Sequence, residues 1–488
     1  MSTTNLQVQN LLNLLSEFIT DVFVDQNSKT YVVIASDGYF KNVALDSSDF
    51  EDLILNIAVG SSGVAPKPGV IKLLKRTLRG TSSEVRTLYQ RVARTSSEVI
   101  LINLGGADWT AAEVSSSGVN LVKSPTPLFV QGPTAGELPL PETGGSLHEL
   151  DEFIPTDDPM DLLLIKLWLV TSLIADIARP LAVITGIRGS GKTETSRLLQ
   201  SLVDPQVIPG RHMPRTERDL VIALQSSYVP LLENVRSISP AQGDIMAQAV
   251  TDFGFVVRRL FTDATCQVHA FRRTALVTGL EVPTCAADLL SRCLLIEFTG
   301  SRKLGVMEQW KPRFQAVRPR LFGAVLATLS EAMRLRPALD PVTEVNHRLA
   351  DWLQWAVAVG LALGASRDQC VAALAEMKYR QHLQSVAAQP IARGVMELMQ
   401  LSSEWRGTPT RLYGTLEPIS KKFALNRAPN WPRSVEAMSK AVRSVAPELD
   451  SVGIEVTWGQ FGKHRERFIE IRRPDGASQK PSLTLLSK

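Results

Sequence analysis

Cysteine is scarce in this sequence. The four cysteines, Cys266, Cys285, Cys293 and Cys370, show no C-x-x-C spacing, and none lies in the first half of the 488-residue chain. A zinc ribbon needs cysteine pairs at such spacings, and a disulfide framework needs cysteines distributed along the chain, so neither is expected to organise this fold. The scarcity is typical of a reducing compartment, and we expect a cytoplasmic protein.

Long apolar runs and a secretory signal are missing as well. The stretch 162–178 is interrupted by Lys166 and Asp176, and the stretch 352–365 is too short to cross a bilayer. The N-terminus lacks a basic start followed by an apolar run, which predicts that no secretory signal is present. A content of 44% hydrophobic and 21% charged residues is typical of a soluble globular protein, and the length predicts about three domains.

Positive and negative residues are nearly equal in number, with a formal net charge of +4. Residues 401–488 nevertheless contain 15 lysines and arginines against 9 aspartates and glutamates, a net charge of +6. A basic terminal module predicts contact with a polyanion such as DNA. A solvated basic surface explains the same charge equally well.

One specific phosphate-binding pattern is present. Residues 186–193 read GIRGSGKT, which fits G-x-x-x-x-G-K-[ST] at every fixed position. The apolar, partly β-branched segment 181–185 precedes it and predicts a buried strand, and residues 193–202 have helical spacing. A strand, a glycine loop and a helix in this order predict an ATP site.

The loop chemistry assigns roles to its residues. Backbone N–H groups would surround the phosphates, Lys192 would reach the β- and γ-phosphates, and the Thr193 hydroxyl would ligate Mg²⁺. The predicted cofactors are therefore ATP and Mg²⁺. The predicted nucleotide-binding residues are Gly186, Arg188, Gly189, Ser190, Gly191, Lys192, Thr193 and Glu194.

Three further apolar segments, 228–232, 274–280 and 293–298, alternate with helical ones, which predicts a parallel sheet. Ligands bind at the carboxyl ends of such strands, where Glu233 and Thr278 fall together with the glycine loop. Glu233 would hold Mg²⁺ through water, and Asn234 would orient the attacking water or the γ-phosphate. The alternative is that Glu233 simply ends a strand in solvent.

Several motifs after the loop resemble the helicase-type AAA+ ATPases of phage and plasmid primase–helicase proteins, a group near superfamily 3. They are the acid–Asn pair at 233–234, RRLFTD at 258–263, RTALVTG at 273–279 and DLLSR at 288–292. The similarity extends over roughly residues 90 to 475. The resemblance implies an AAA+ P-loop domain that forms a ring-shaped homo-oligomer, a hexamer, on single-stranded or forked DNA.

The resemblance also implies roles for individual residues. Thr278 matches the sensor of the γ-phosphate, and Arg292 matches the arginine that is contributed to a neighbouring subunit's nucleotide. Arg258 and Arg259 would belong to a hairpin facing DNA or to the subunit contact. For Arg292 the alternative is a surface salt bridge, and for the other two arginines a solvated turn.

The sequence departs from the family pattern at three positions. Glu233 replaces the usual aspartate, Thr278 replaces a common asparagine, and Pro230 removes one hydrogen-bond donor from a predicted central strand. These departures cast more doubt on efficient turnover than on nucleotide binding. The N-terminal part also shows no primase centre, since it has no cysteine and one histidine before residue 150.

The last hundred residues predict a winged helix. Thr408 followed by Pro409 predicts a helix start, Ser434 predicts a second one, and the segments 454–458 and 467–471 alternate like paired strands. Within such a module one helix enters the major groove and the hairpin contacts the backbone. The predicted DNA-binding residues are Arg258, Arg259, Lys440, Arg443, Lys463 and Arg465.

The predicted fold class is α/β. The expected order is an N-terminal α+β region (1–95), a small β-rich unit with a Pro/Gly-rich linker (96–146), the AAA+ P-loop ATPase domain (147–300), a helical domain (301–385) and a winged-helix-like domain (386–488). The expected function is that of an ATP-dependent DNA helicase or translocase in the replication of a phage, plasmid or other mobile element. A nucleotide-switched DNA-binding or assembly ATPase with weak hydrolysis is the alternative. A small-molecule P-loop kinase fits least, because it needs no winged module.

Overall fold

The computed structural model describes residues 3–36, 39–82, 84–123, 128–251, 253–258, 266–283, 285–299, 307–461 and 466–473. The helices are α1 (Thr3–Leu15), α2 (Ser48–Ser62), α3 (Pro68–Thr81), α4 (Pro159–Thr171), α5 (Lys192–Val203), α6 (Glu217–Gln225), α7 (Pro240–Thr251), α8 (Ala287–Leu290), α9 (Met307–Leu335), α10 (Ala350–Ala362), α11 (Arg367–Ala387), α12 (Pro390–Leu401), α13 (Pro409–Lys422) and α14 (Val435–Ser451).

The strands of the described residues form five sheets and are numbered in chain order. They are β1 (Ile19–Asp25), β2 (Thr30–Ser36), β3 (Tyr39–Ala44), β4 (Val85–Arg86), β5 (Val92–Arg94), β6 (Val99–Asn103), β7 (Ala111–Ser115), β8 (Gly118–Val122), β9 (Leu181–Gly186), β10 (Gly210–His212), β11 (Leu231–Glu233), β12 (Phe253–Arg258), β13 (Cys266–Phe271), β14 (Leu276–Thr278), β15 (Cys293–Phe298), β16 (Glu404–Gly407), β17 (Glu455–Phe461) and β18 (Glu466–Arg472).

The N-terminal region combines a four-stranded sheet with helices α1 to α3. The strand order is β3-β2-β1-β4, and apolar faces of the helices and the sheet bury one core that includes Phe50, Ile54 and Leu74. A second sheet of order β5-β6-β7-β8 follows and is antiparallel throughout. Arg91, directly before β5, forms a buried ion pair with Asp204 after α5, at 3.1 Å, which connects this sheet to the central one.

The central sheet has five parallel strands in the order β10-β11-β14-β9-β15. Four of its strands, β9, β11, β14 and β15, are buried and mainly apolar, and the strands alternate along the chain with α5, α6, α7 and α8, as expected for a sheet whose two faces are covered. The predicted α/β class with a parallel sheet is therefore confirmed. The AAA+ assignment itself stays a prediction.

Two details of this sheet differ from the sequence-based expectation. Strand β11 begins after Pro230, so the proline lies outside the ladder, and its carbonyl accepts from the Leu276 N–H at 2.9 Å. The missing N–H therefore costs no ladder bond. The sheet also contains β10, a three-residue strand without an apolar run, which the sequence did not indicate.

An antiparallel hairpin, β12–β13, lies between α7 and β14. Strand β14 ends at the same edge of the sheet as the glycine loop, so its first residue lies at the opposite edge. The hairpin directly precedes β14 and therefore joins the sheet at the amino ends of the parallel strands. Arg258 is the last residue of β12. Arg259 lies outside the described residues, and the assignment of both arginines to DNA stays a prediction.

The main hydrophobic core surrounds the central sheet, and helices α9, α10 and α11 contribute buried side chains to it. Trp352 and Trp355 of α10 are buried, and the Trp352 indole N–H donates to the Thr171 hydroxyl at 2.9 Å. His347, just before α10, is 7% exposed, and its Nδ1 accepts from the Leu349 N–H at 3.1 Å. Burial, with nearby Lys378, lowers the pKa of His347 to about 4.

This depressed pKa predicts acid-sensitive stability. A group whose folded-state pKa lies below its unfolded value contributes stability above the unfolded value, about 6.5, and loses it as pH falls towards about 4. We expect up to about 3 kcal/mol of unfolding free energy to be lost across this window. His347→Asn should reduce this pH dependence of the unfolding free energy, as measured by urea titrations at pH 4 to 7. His148→Asn, at an exposed site, should not, and an unchanged slope in His347→Asn would contradict the assignment.

The C-terminal module has its own core, to which α11 to α14 and the sheet of order β16-β18-β17 contribute. Both predicted helix starts are confirmed, since the Thr408 hydroxyl accepts from the Arg411 N–H and the Ser434 hydroxyl accepts from the Ala437 N–H. The two C-terminal strands pair antiparallel as predicted. The winged-helix assignment stays a prediction. Among the described residues, no helix is long and apolar enough to cross a membrane.

Candidate nucleotide-binding site

The glycine loop begins where β9 reaches the edge of the sheet. Gly186 has φ 145°, and a Cβ atom there would lie 2.2 Å from the carbonyl oxygen of Phe298 on the adjacent strand β15. A side chain at this position is therefore excluded by both backbone angle and space. Gly189, with φ 79°, and Gly191, with φ 84°, turn the chain back into α5.

Helix α5 starts with Gly191 at its N-cap, and no side chain caps it. The first N–H groups of a helix have no partner inside the helix, so an uncapped start leaves them free to bind an anion. The loop thus provides a concave turn of backbone donors at the positive end of a helix. Its chemistry fits a phosphate group.

Lys192, the first residue of α5, folds back into this loop. Its ammonium donates to the carbonyl oxygens of Gly186 and Ile187, each at 2.7 Å. The side chain is 8% exposed, and this burial lowers the pKa of Lys192. No carboxylate of a described residue forms an ion pair with it. Among the described residues, the partners of this cation are therefore neutral groups, the two carbonyl oxygens and the Ser190 hydroxyl at 3.4 Å.

Two strand ends bring further polar groups to the same edge. Thr278 ends β14, which lies between the loop strand β9 and β11. Its hydroxyl accepts from the Asn234 N–H at 3.2 Å, which leaves the hydroxyl proton available as a donor. Asn234 has φ 56°, a left-handed conformation that asparagine tolerates better than most residues, and its side chain is exposed.

Glu233 ends β11 at this edge and is 8% exposed, so it does not point into solvent. Its carboxylate accepts two hydrogen bonds from Arg197 of α5, Nε–Oε1 at 2.8 Å and Nη2–Oε2 at 3.1 Å. The Glu233 carboxylate thereby raises the pKa of Arg197. Arg197 is not among the site residues predicted from the sequence. An arginine one helical turn after Thr193 was the signal that could have identified it.

The predicted nucleotide-binding residues thus lie together, with different exposures. Ser190 is buried under the loop, Arg188 is exposed, and Thr193 and Glu194 are half-buried. The loop and Lys192 fit a triphosphate. For Mg²⁺ the donors are the Thr193 hydroxyl and the Glu233 carboxylate, and the latter is engaged by Arg197. No cluster of three His, Cys, Asp or Glu side chains suited to a metal occurs in the described ranges.

Arg292 lies at the opposite edge of the sheet. Its carbonyl accepts from the Leu181 N–H at the start of β9, so five residue steps, about 17 Å, separate it from Gly186. Its guanidinium pairs with Asp288 at 2.5 Å, and Asp288 also pairs with Arg348. Both arginines lower the pKa of Asp288, although burial opposes them. Arg292 therefore does not reach the glycine loop of its own chain.

Of the predicted DNA-contacting residues, the structure describes Arg258 at the end of β12 and Lys440 and Arg443 in α14. Lys440 and Arg443 are exposed on one face of α14, and the Arg443 guanidinium lies over the Trp458 ring, 4.9 Å from its centre. Lys463 and Arg465 lie outside the described residues. The neighbouring sheet carries a second such pair, Arg406 over Phe468 at 4.1 Å.

Among solved structures, the chain is similar to the apo NrS-1 C-terminal region, with 12% identity, 95% of this chain and 99% of that chain covered, and a TM-score of 0.40. It is also similar to the JCV helicase, with 15% identity, 45% of this chain and 73% of that chain covered, and a TM-score of 0.22. No curated protein matches the chain.

Two family models match the sequence. The model described as actinomycete integrative conjugative element replication protein, AICE RepA, matches residues 150–378. The model of the AICE RepA C-terminal domain matches residues 391–482. The two matched ranges follow each other along the chain and include the glycine loop, Glu233, Thr278, Arg292 and α14. Over residues 150–378 and 391–482, the chain is therefore similar to replication proteins of actinomycete integrative conjugative elements.

Proposed function

We propose that this protein is an ATP-dependent DNA helicase or translocase that acts as a ring-shaped oligomer in the replication of an integrative mobile element. The observation that carries the proposal is the alignment of the glycine loop, Glu233 and Thr278 at the carboxyl ends of neighbouring parallel strands. The matches to replication-protein models support the element and the process.

Each residue of the site has a role in this proposal. The loop N–H groups and Lys192 bind and neutralise the phosphates, and Mg²⁺ supplies charge neutralisation at the transferred phosphoryl group when bound. Thr193 and Glu233 would hold the metal, with Glu233 acting through water. Thr278 donates its hydroxyl proton towards the γ-phosphate, and Asn234 orients the attacking water.

Coupling to DNA would pass through the subunit contact. Arg292 lies too far from its own loop to act there, so it would serve the nucleotide of the adjacent subunit. Its ion pair with Asp288 would open for this purpose. The β12–β13 hairpin would contact DNA phosphates without reading sequence, which suits a protein that must move along the strand.

A second candidate is a nucleotide-switched DNA-binding or assembly factor with weak hydrolysis. The bidentate Arg197–Glu233 pair favours it, because a carboxylate held by a guanidinium is not available to the metal-bound water. Such a protein would bind ATP, change its assembly state and turn over slowly.

Strand displacement on a forked duplex separates the two candidates. A helicase should displace a labelled strand with ATP and hydrolyse ATP faster when single-stranded DNA is added. A switch should bind DNA in an ATP-dependent manner without displacement. Absence of both strand displacement and ATP-dependent DNA binding would contradict both candidates, and negative-stain images with an ATP analogue and DNA would test the ring.

Lys440 and Arg443 allow a test of DNA binding alone. Each phosphate contact releases counterions, so Lys440→Ala and Arg443→Ala should each lower the slope of log K against log salt by about 1 and weaken binding uniformly across sequences. Lys421→Ala on α13, whose lysine pairs with Glu417 at 2.7 Å, is the matched control and should change little. Equal losses in all three variants would indicate a diffuse charge effect instead of a face on α14.

A further inference from the structure

The ion pair between Arg197 and Glu233 is the most specific contact of the candidate site. Both guanidinium-to-carboxylate hydrogen bonds have good lengths, 2.8 and 3.1 Å, and the pair connects the nucleotide-loop helix α5 to the end of β11. Bidentate pairs of this kind fix geometry as well as charge. The Glu233 side chain is 10% exposed, so water competes weakly for its oxygens.

The neighbouring strand makes room for this arrangement. A Cβ atom on Gly210 of β10 would lie 2.1 Å from both Cδ and Oε1 of Glu233. The long side chain of Glu233 therefore fits in its observed position only because residue 210 has none. The hydrogen bonds from Arg197 and the space left by Gly210 therefore favour the same conformation of the Glu233 carboxylate.

The location of the pair relates it to the metal ligand predicted on α5. Arg197 follows Thr193 by four residues, so the two side chains project from the same face of the helix, one turn apart. When the Glu233 carboxylate is bound to Arg197, it is therefore displaced along α5 from the Thr193 hydroxyl. Glu194 also accepts from Arg197, at 3.4 Å, and leaves the guanidinium with two acidic partners.

We propose that Arg197 is a positioning residue that holds Glu233 away from the metal in the nucleotide-free protein. The Glu233 carboxylate must then leave Arg197 before it can join the water shell of Mg²⁺. This inference rests on the proposed function, because it assumes that Glu233 serves a nucleotide-bound metal. It adds a regulatory element that is specific to a glutamate at this position, since an aspartate is one methylene too short to make the same contact.

The energetic consequence is an internal competitor for the metal site. Mg²⁺-dependent nucleotide binding in the wild type includes the loss of the Arg197–Glu233 hydrogen bonds. Without the arginine, the freed carboxylate is available from the start. The ratio of ADP affinity measured with Mg²⁺ to that measured with EDTA is therefore expected to rise about three- to tenfold in Arg197→Gln.

The experiment is calorimetric titration of the full chain with ADP, with and without Mg²⁺, followed by a Mg²⁺ titration of ATP turnover. Arg197→Gln should raise the affinity ratio and lower the half-saturating Mg²⁺ concentration in parallel. The control is Arg334→Gln, which breaks an exposed Arg–Glu pair within α9 and should leave both values unchanged. Melting curves verify that each variant is folded.

Gly210→Ala provides an independent route to the same state. Its methyl group would displace Glu233 from Arg197, so it should raise the affinity ratio in the same direction. Adding Arg197→Gln to it should bring little further change, because both substitutions break one interaction. If Gly210→Ala does not fold, Arg197→Lys replaces it, because lysine keeps the charge but cannot make the bidentate contact, with the same expected direction in the ADP titration.

The outcomes separate this inference from the proposed function. An unchanged affinity ratio in a variant that still binds ADP overturns only the role of Arg197. A raised Mg²⁺ requirement also overturns it, because it would mean that Arg197 presents Glu233 to the metal. Absence of ADP binding in the wild type overturns the proposed function together with this inference.

Discussion

Replacing Lys192 with alanine is expected to lower ATP turnover by about 10²-fold or more. The ammonium sits inside the glycine loop, bound to two carbonyl oxygens, and is the cation that phosphate oxygens would meet. Steady-state hydrolysis at saturating DNA measures the effect. Lys421→Ala, which removes an exposed lysine from α13, should retain turnover.

The same substitution should leave the nucleotide-free protein as stable as the wild type or more so. Lys192 is buried, no described carboxylate forms an ion pair with it, and its pKa is lowered by desolvation. A buried cation without an ion-pair partner is unfavourable for folding and is retained where function needs it. A large drop in melting temperature would contradict this view and would make the loss of turnover a folding defect.

Arg292→Ala is expected to keep ATP binding and to lose most DNA-stimulated hydrolysis. Arginines supplied by a partner accelerate related phosphoryl transfer by about 10³- to 10⁵-fold. In this chain Arg292 stands about 17 Å from Gly186 along the sheet, so any contribution must reach another subunit. Arg348→Ala is the matched control, because Arg348 shares the Asp288 carboxylate but starts from an exposed position.

Mixing variants tests the shared site directly. A Lys192→Ala subunit retains Arg292, and an Arg292→Ala subunit retains the glycine loop. Mixed oligomers should therefore regain part of the activity that each variant lacks alone. If the mixture stays inactive while Arg348→Ala is normal, Arg292 has a structural role at α8. Undiminished turnover in Arg292→Ala would remove it from catalysis altogether.

Much of the candidate site could be predicted because it depends on local patterns. The loop follows a buried strand and precedes an amphipathic helix, and both elements formed where hydrophobic periodicity placed them. Glu233 and Thr278 follow apolar strand segments, and the carboxyl ends of parallel strands meet at one edge by geometry. The helix caps Thr408 and Ser434 were equally local signals.

Elements without such a pattern could not be predicted. Strand β10, with the sequence GRH, has no apolar alternation and forms because β11 offers it a partner. Residues 131–146, rich in Pro and Gly, contain only one isolated bridge, yet Leu138 is buried in the main core. In both cases the neighbours decide the structure, and sequence separation hides those neighbours.

Local sequence patterns were sufficient to predict the glycine loop, its flanking strand and helix, and the strand ends that carry Glu233 and Thr278, because glycine conformation and hydrophobic periodicity act over a few residues. Packing between distant elements sets the pairing of Arg197 with Glu233, the space that Gly210 leaves for it, and the position of Arg292 at the edge of the sheet opposite the loop. Those contacts join residues from different elements, and their distances are set by how the sheet orders its strands.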